Sequence, residues 1–354
     1  MKRFHLIEIH DQEWCPRTIR DAETDYLQFV IANMKGYAAV VPVLAAALQR
    51  TATRQVLDLC SGAGGPWFWL QPVLAERGLD VSVCLTDKYP NPEALGASSD
   101  LNLAHQAIRY LPEPVDVTGV PDELAGFRTL FSAFHHFRPE QARAILGDAV
   151  RKHHGIAVFE GTYHSALAMF LMLLVPLMVL LVTPFIRPFR WSRLFWTYLV
   201  PVVPLVSLFD GLVSCLRTYS VQELRELTED LGADKYQWDF GELKGMGPIP
   251  ITYLIGVPID RVRFLLSPKH LVVLEVITQK KGSIPGLRSV FEAGFLAVRN
   301  RCLLQRPRLV LGDLRDCGFA TSQDHGLDLL HKSPASHRQA FCAIPTGRSA
   351  AGVP

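Results

Sequence analysis

The stretch Gln55-Val56-Leu57-Asp58-Leu59-Cys60-Ser61-Gly62-Ala63-Gly64-Gly65-Pro66 constrains the fold more than any other. A short apolar run that stops at clustered glycines predicts a strand running into a tight turn. Residues 67–77 follow with a helical pattern that Gly78 closes. A second apolar run, residues 81–86, then ends at Asp87. Strand, Gly-rich turn, helix and strand in this order predict a βαβ unit, and with it a parallel sheet. In such sheets ligands sit at the carboxyl ends of the strands. Gly62 and Gly64 would let the backbone approach a ligand, and the helix start offers free N–H groups.

The alternation continues. Residues 15–50 have helical apolar spacing, and residues 91–107 read as a loop with a short helix. Residues 108–111, leading to Val115-Asp116-Val117, suggest a third strand, and residues 128–134 a fourth, ending at His135-His136. Residues 139–153 predict a helix that starts at a proline, and residues 155–160 a fifth strand. Later, Ser220 and Glu223 form a capping-box pattern, and residues 236–242 and 250–257 read as two more strands.

Two apolar runs interrupt this pattern. Residues 166–186 carry no charge, and residues 194–216 carry only Asp210. Each is long enough to cross a hydrocarbon core of about 20 helical residues. The turn between them holds Arg187, Arg190 and Arg193. Two crossings would return the chain to one side of a membrane. They would also leave three arginines on the far side, against the positive-inside tendency. A shallow hairpin with snorkelling arginines and proline-broken helices is the alternative. Trp191, Trp196 and Tyr198 suit an interfacial belt.

Charge and cysteines narrow the classes further. Residues 1–259 carry 22 Lys and Arg against 27 Asp and Glu, whereas residues 260–354 carry 14 against 7. An acidic body without a basic, aromatic groove argues against a nucleic-acid partner. The seven cysteines form no C-x-x-C pair, so neither a zinc knuckle nor a disulfide framework is expected, and no metal is assigned to the site. Residues 1–11 lack the apolar core of a secretory signal.

Two cofactors use a Gly-rich turn of this kind. A dinucleotide wants G-x-G-x-x-G, and Trp67 stands at the third glycine position. The segment from Leu57 to Pro66 instead resembles motif I of the class I S-adenosylmethionine (SAM)-dependent methyltransferases, a likeness extending over about residues 20–259 apart from the apolar insert. The resemblance implies an α/β, Rossmann-like class I methyltransferase sheet with helices on both faces. It implies SAM as cofactor, with Ser61, Gly62, Gly64 and Phe134 at its edge and Asp58 near its ammonium group. It further implies Asp87 at the ribose, 23 residues after Gly64, and Asp116 at the adenine. The segment after strand four lines the methyl-transfer site in that family, and the residues after strand five face the same rim. His135 is therefore a candidate general base and Tyr163 a candidate acceptor contact, with Glu160 and His164 on the same rim.

The expected organisation is a methyltransferase domain over residues 1–164 and 217–259, a membrane-associated hydrophobic hairpin over 165–216, and a basic, partly disordered extension over 260–354. The expected activity is methyl transfer to a small-molecule or lipid-like acceptor at a membrane, with the catalytic domain cytoplasmic. An inactive membrane adaptor with this fold and a NAD(P)-dependent oxidoreductase are the alternatives.

Overall fold

The computed structural model describes residues 3–90, 107–232, 235–245 and 247–259. The first helices are α1 (Arg17–Met34) and α2 (Val41–Thr51), joined by a 3-10 turn at Ala38–Val40. Strand β1 (Gln55–Leu59), helix α3 (Trp67–Glu76) and strand β2 (Ser82–Thr86) form the βαβ unit that the glycine turn predicted. Then come β3 (Ile108–Tyr110), β4 (Phe127–Phe131), α4 (Pro139–Arg151) and β5 (Ile156–Glu160). The apolar region holds α5 (Ala166–Met172), α6 (Val175–Val182), α7 (Trp191–Leu194) and α8 (Val202–Arg217). Helix α9 (Val221–Thr228) and strands β6 (Tyr236–Leu243) and β7 (Ile251–Pro258) complete the order.

The seven strands form one sheet in the order β3-β2-β1-β4-β5-β7-β6. Strands β1 to β5 pair in parallel, and β7 runs antiparallel to both β5 and β6. The sheet reverses direction of travel at β1 and β4, so a crevice opens beyond their carboxyl ends. The main core lies between the sheet and α2 and α3, where Leu44, Leu48, Trp67, Leu70, Leu85 and Phe159 are buried.

Several expectations change. Residues 115–117 do not extend β3: Asp116 instead caps a 3-10 turn at Val117–Gly119. Strand β4 stops at Phe131, and Ser132 takes φ +45°. That left-handed residue turns the chain out of the sheet, so Phe134–His136 forms a 3-10 turn rather than strand. Residues 91–106, expected as loop and short helix, and the expected extension at 260–354 lie outside the described residues.

The apolar region departs most from expectation. Residues Ala166–Phe185 form a 20-residue helical stretch whose most apolar 18-residue window has mean hydropathy 2.7 and is only 17% buried. The second run is bent by 77° between Trp191–Leu199 and Val202–Arg217. The pair α1 and α2 also passes the same hydropathy test, yet α2 fills the main core, so hydropathy alone does not set a helix in lipid. Helix α8 is amphipathic in place. It buries Val203, Val206, Asp210, Val213, Ser214 and Arg217 at spacings of three and four, while Leu205 and Phe209 face outward.

A second core joins Ile19 and Tyr26 of α1 to Val179, Ile186, Val203 and Val206. Of the turn's arginines, Arg187 is exposed, whereas the other two pair with α1. Arg193 is buried and binds Asp25 of α1, and Arg190 lies 3.8 Å from Asp21. Residues 1–259, the apolar region included, form one compact unit. Asp210 of the second run is held by the N-terminal segment, and Arg193 of the turn by Asp25 of α1.

Candidate active site at the strand ends

The crevice floor is built by the glycine turn. Cys60 and Gly62, Gly64 and Gly65 all take positive φ. A Cβ on Gly64 would stand 2.5 Å from the Phe68 ring, so that position requires glycine on both torsional and steric grounds. Trp67 is fully buried and meets Phe131 edge to face, filling the place where a dinucleotide turn needs its third glycine. Ser61 stitches the two strand ends together: its N–H donates to the Thr86 carbonyl and its hydroxyl accepts from the Thr86 N–H.

Asp87 lies at the end of β2 beside this turn. Its Oδ2 accepts from Gly62 N–H at 2.8 Å and its Oδ1 from Tyr89 N–H at 2.8 Å. Burial pushes its carboxyl above the ordinary range, although the two N–H bonds oppose that. Each oxygen keeps acceptor capacity, as a vicinal diol requires. Asp116 sits on the adjacent loop, since Val115 N–H donates to the Asp87 carbonyl. Its carboxylate is exposed and accepts from both the N–H and the hydroxyl of Thr118, which hold its pKa below the usual value.

Asp58 does not reach the rim. It is 1% exposed, and Thr129 donates a 2.6 Å hydrogen bond to it from inside the sheet. Burial pushes its carboxyl up to about 6. Phe134 is also fully buried, packed near Tyr219, and contributes to the site through its backbone.

The ends of β4 and β5 meet in a carboxylate–imidazole pair. Glu160 Oε2 lies 2.6 Å from His135 Nδ1, and Glu160 Oε1 accepts from Phe134 N–H at 2.7 Å. His135 Nε2 has no hydrogen-bond partner and stands 3.7 Å from Glu8 Oε1. Tyr163, on the loop after β5, commits its hydroxyl to Glu242 of β6 at 2.9 Å. Its phenol pKa rises for that reason and through burial.

Sequence reasoning missed the group facing this pair. The N-terminal segment crosses the strand ends and is held by α8. Ile9 and His10 donate their N–H groups to Asp210, and His10 Nδ1 lies 2.9 Å from Asp210 Oδ2. Arg217 pairs with Glu8 at 3.1 Å and with Asp11 at 3.3 Å, and its Nε donates to the His135 carbonyl. His136 Nδ1 lies 2.8 Å from Asp11 Oδ2. Burial raises the Glu8 carboxyl, but His136, His135 and His10 more than offset it and hold it below the usual value. Burial, with Asp210 and Glu8 close by, pushes the Glu23 carboxyl up to about 7 against the pull of His10. The one available signal was Asp210, a single charge in an apolar run, because a buried carboxylate needs partners. Nothing in the spacing of Glu8, His10 and Asp11 named them as those partners.

The sheet order departs from that of a dinucleotide-binding fold. A dinucleotide-binding sheet runs 3-2-1-4-5-6. Here an antiparallel β7 is inserted between β5 and β6. The fold is that of the class I SAM-dependent methyltransferases. No family model matches the sequence, and no curated protein matches it. Solved structures similar to the chain include human N-acetylserotonin methyltransferase in complex with SAM, at 15% identity and a TM-score of 0.37. That match covers 66% of this chain and 56% of the human one. An O-methyltransferase from neocarzinostatin biosynthesis, solved with SAM and 2-hydroxy-5-methyl naphthoic acid, is 14% identical with a TM-score of 0.37. It is matched over 69% of this chain and 59% of its own. The chain thus spans just over half the length of these two methyltransferases. The likenesses are distant, and the methyltransferase fold stands on the strand order and the glycine turn.

Proposed function

We propose that this chain is a SAM-dependent methyltransferase held on one face of a membrane and acting on a small-molecule or lipid-like hydroxyl acceptor. The observation that carries the reading is the Asp87 carboxylate joined to Gly62 N–H at the end of β2, with acceptor capacity to spare. The donor set and the glycine cradle fit an adenosyl ligand, with Gly62 and Gly64 at its amino-acid part and Asp87 at its ribose. Helix α1 roofs that cradle, since Gln28 donates to the Gly65 carbonyl at 3.0 Å. SAM, when bound, supplies a methyl group that is already activated, so the protein has to position the acceptor and receive its proton. Glu160 orients the His135 ring through Nδ1, which leaves Nε2 as the atom to take that proton. Tyr163 and Glu242 shape the rim on the β6 side.

Membrane attachment is supported by the outer face of α5 and α6, where Leu167, Phe170, Leu174, Leu177, Leu181 and Phe185 are exposed. Contiguous apolar surface on this scale marks an interaction site. The turn after it is bound to α1 through Arg193 and Asp25, so the region supports insertion into one leaflet rather than a crossing. An acceptor with an apolar body would reach the strand ends from that leaflet. The catalytic face then lies on the cytoplasmic side, where SAM is found, and no nucleic-acid partner is expected.

The deciding experiment is calorimetric titration of S-adenosylhomocysteine into detergent-solubilised full-length protein, beside Asp87→Ala. Micromolar binding that the variant loses is the expected result. No binding in well-folded protein overturns the cofactor assignment. Binding without turnover across lipid and phenolic acceptors would favour the inactive adaptor.

A further inference from the structure

The polar group between the N-terminal segment, α1, α8 and the β4 loop gathers four carboxylates around two imidazoles and one guanidinium. Glu8, Asp11, Glu23 and Asp210 converge there with His10 and His136, while Arg217 pairs only with Glu8 and Asp11. Among the described contacts, the Asp210 carboxylate meets two backbone N–H groups and His10. Two oxygens are left over. Glu8 Oε2 and Glu23 Oε2 are buried and have no hydrogen-bond partner, although their side chains are 0% and 5% exposed. Stranding buried carboxylate oxygens in this way is costly unless something else binds them.

Both orphans point at imidazole nitrogens. Glu8 Oε2 lies 3.4 Å from His136 Nδ1 and 3.8 Å from His10 Nδ1, and Glu23 Oε2 lies 3.7 Å from His10 Nδ1. One donor atom each from Glu8, His10 and His136 fall within 4.8 Å of one another, as do those from His10, Glu23 and Asp210. A tetrahedral zinc site with ligand bonds of about 2.0–2.1 Å separates its ligand atoms by about 3.3 Å. The spacings observed are close to that, without any rearrangement of the backbone. Two imidazoles with carboxylate oxygens suit a first-row divalent cation, whereas calcium and magnesium prefer oxygen alone.

We propose that Glu8, His10 and His136 bind one divalent transition-metal ion of the zinc type, with Asp210 or Glu23 completing the set. The ion couples the N-terminal segment, which supplies Glu8 and His10, to the β4 loop, which supplies His136. It thereby fixes the segment across the strand ends next to His135. The inference goes beyond the methyltransferase reading, and its test contains no cofactor.

The test uses full-length, chelator-stripped protein titrated with Zn2+ against a chromophoric competitor, beside Glu8→Gln and His136→Gln. One ion per wild-type chain is expected, with affinity lowered at least tenfold in each variant. Glu8→Gln keeps the side-chain shape and the Ser214 contact, so its circular dichroism checks the fold. Loading wild-type protein with Co2+ gives a second reading that needs no variant. A visible spectrum of low-symmetry nitrogen and oxygen coordination is expected. Equal binding in wild type and variants, absence of binding in wild type, or the spectrum of the hydrated cobalt ion would each overturn the proposal.

Discussion

Asp58 and Asp87 stand at the ends of neighbouring strands and do different work. Asp87 faces the crevice and holds the glycine turn. Asp58 faces the interior, where burial raises its pKa from 3.8 to about 6. Because the folded state holds this proton more tightly than the unfolded chain, Asp58 contributes stability below about pH 4 and loses it as the pH rises through 6. The span corresponds to about 3 kcal/mol. Asp58→Asn keeps an acceptor for Thr129 and removes the ionisation. Its unfolding free energy in urea should fall less than the wild type's between pH 4 and 7, by up to about 3 kcal/mol. Parallel slopes would refute this. For His135, replacement by Gln should lower the methyl-transfer rate by about 100-fold or more, while S-adenosylhomocysteine affinity stays unchanged. An equal loss in both would mean that His135 shapes the cofactor site rather than taking a proton.

At the scale of elements, the strands and the glycine turn were legible because their signals are local. Alternation and clustered glycines depend on neighbours in the chain. The capping box at Ser220 and Glu223 was read from four residues and is present in α9. What stayed hidden depended on distant partners. Most of helix α8 lies in the apolar run 194–216, whose only charge is Asp210, yet Asp210 and the following Arg217 are buried against a segment some 200 positions away in sequence. Residues 132–134 read as the end of the fourth strand because nothing local announced the left-handed turn at Ser132. The glycine turn itself invites a test. Gly64→Ala must place a Cβ 2.5 Å from the Phe68 ring at φ +107°. A loss of about 2–3 kcal/mol is expected in thermal or urea unfolding, from backbone strain and overpacking together. Gly65 has φ +54° but open space around its Cβ, so Gly65→Asn should cost much less.

On the scale of the molecule, one face differs in kind from the rest. The outer surfaces of α5 and α6 are apolar, while their inner surfaces pack on α1 and α8 through Val179, Ile186 and Val203. A helix that crosses a bilayer cannot be seated along its length on a domain that stays in water. A helix lying in one leaflet can, with the buried Arg193–Asp25 pair locking the turn to that domain. Each large apolar side chain moved from water into lipid is worth about 1.5–3 kcal/mol. Phe170→Asp with Leu177→Asp should therefore lower vesicle binding by at least about tenfold in flotation with neutral lipid vesicles. Because both residues are exposed, the fold and S-adenosylhomocysteine binding in detergent should survive. If the lipid supplies the acceptor, the double variant should also lose activity on vesicle-borne substrate and keep it on a soluble one. Loss on both would place the two residues in the acceptor path, and loss on neither would show that the apolar face meets a protein instead of a bilayer.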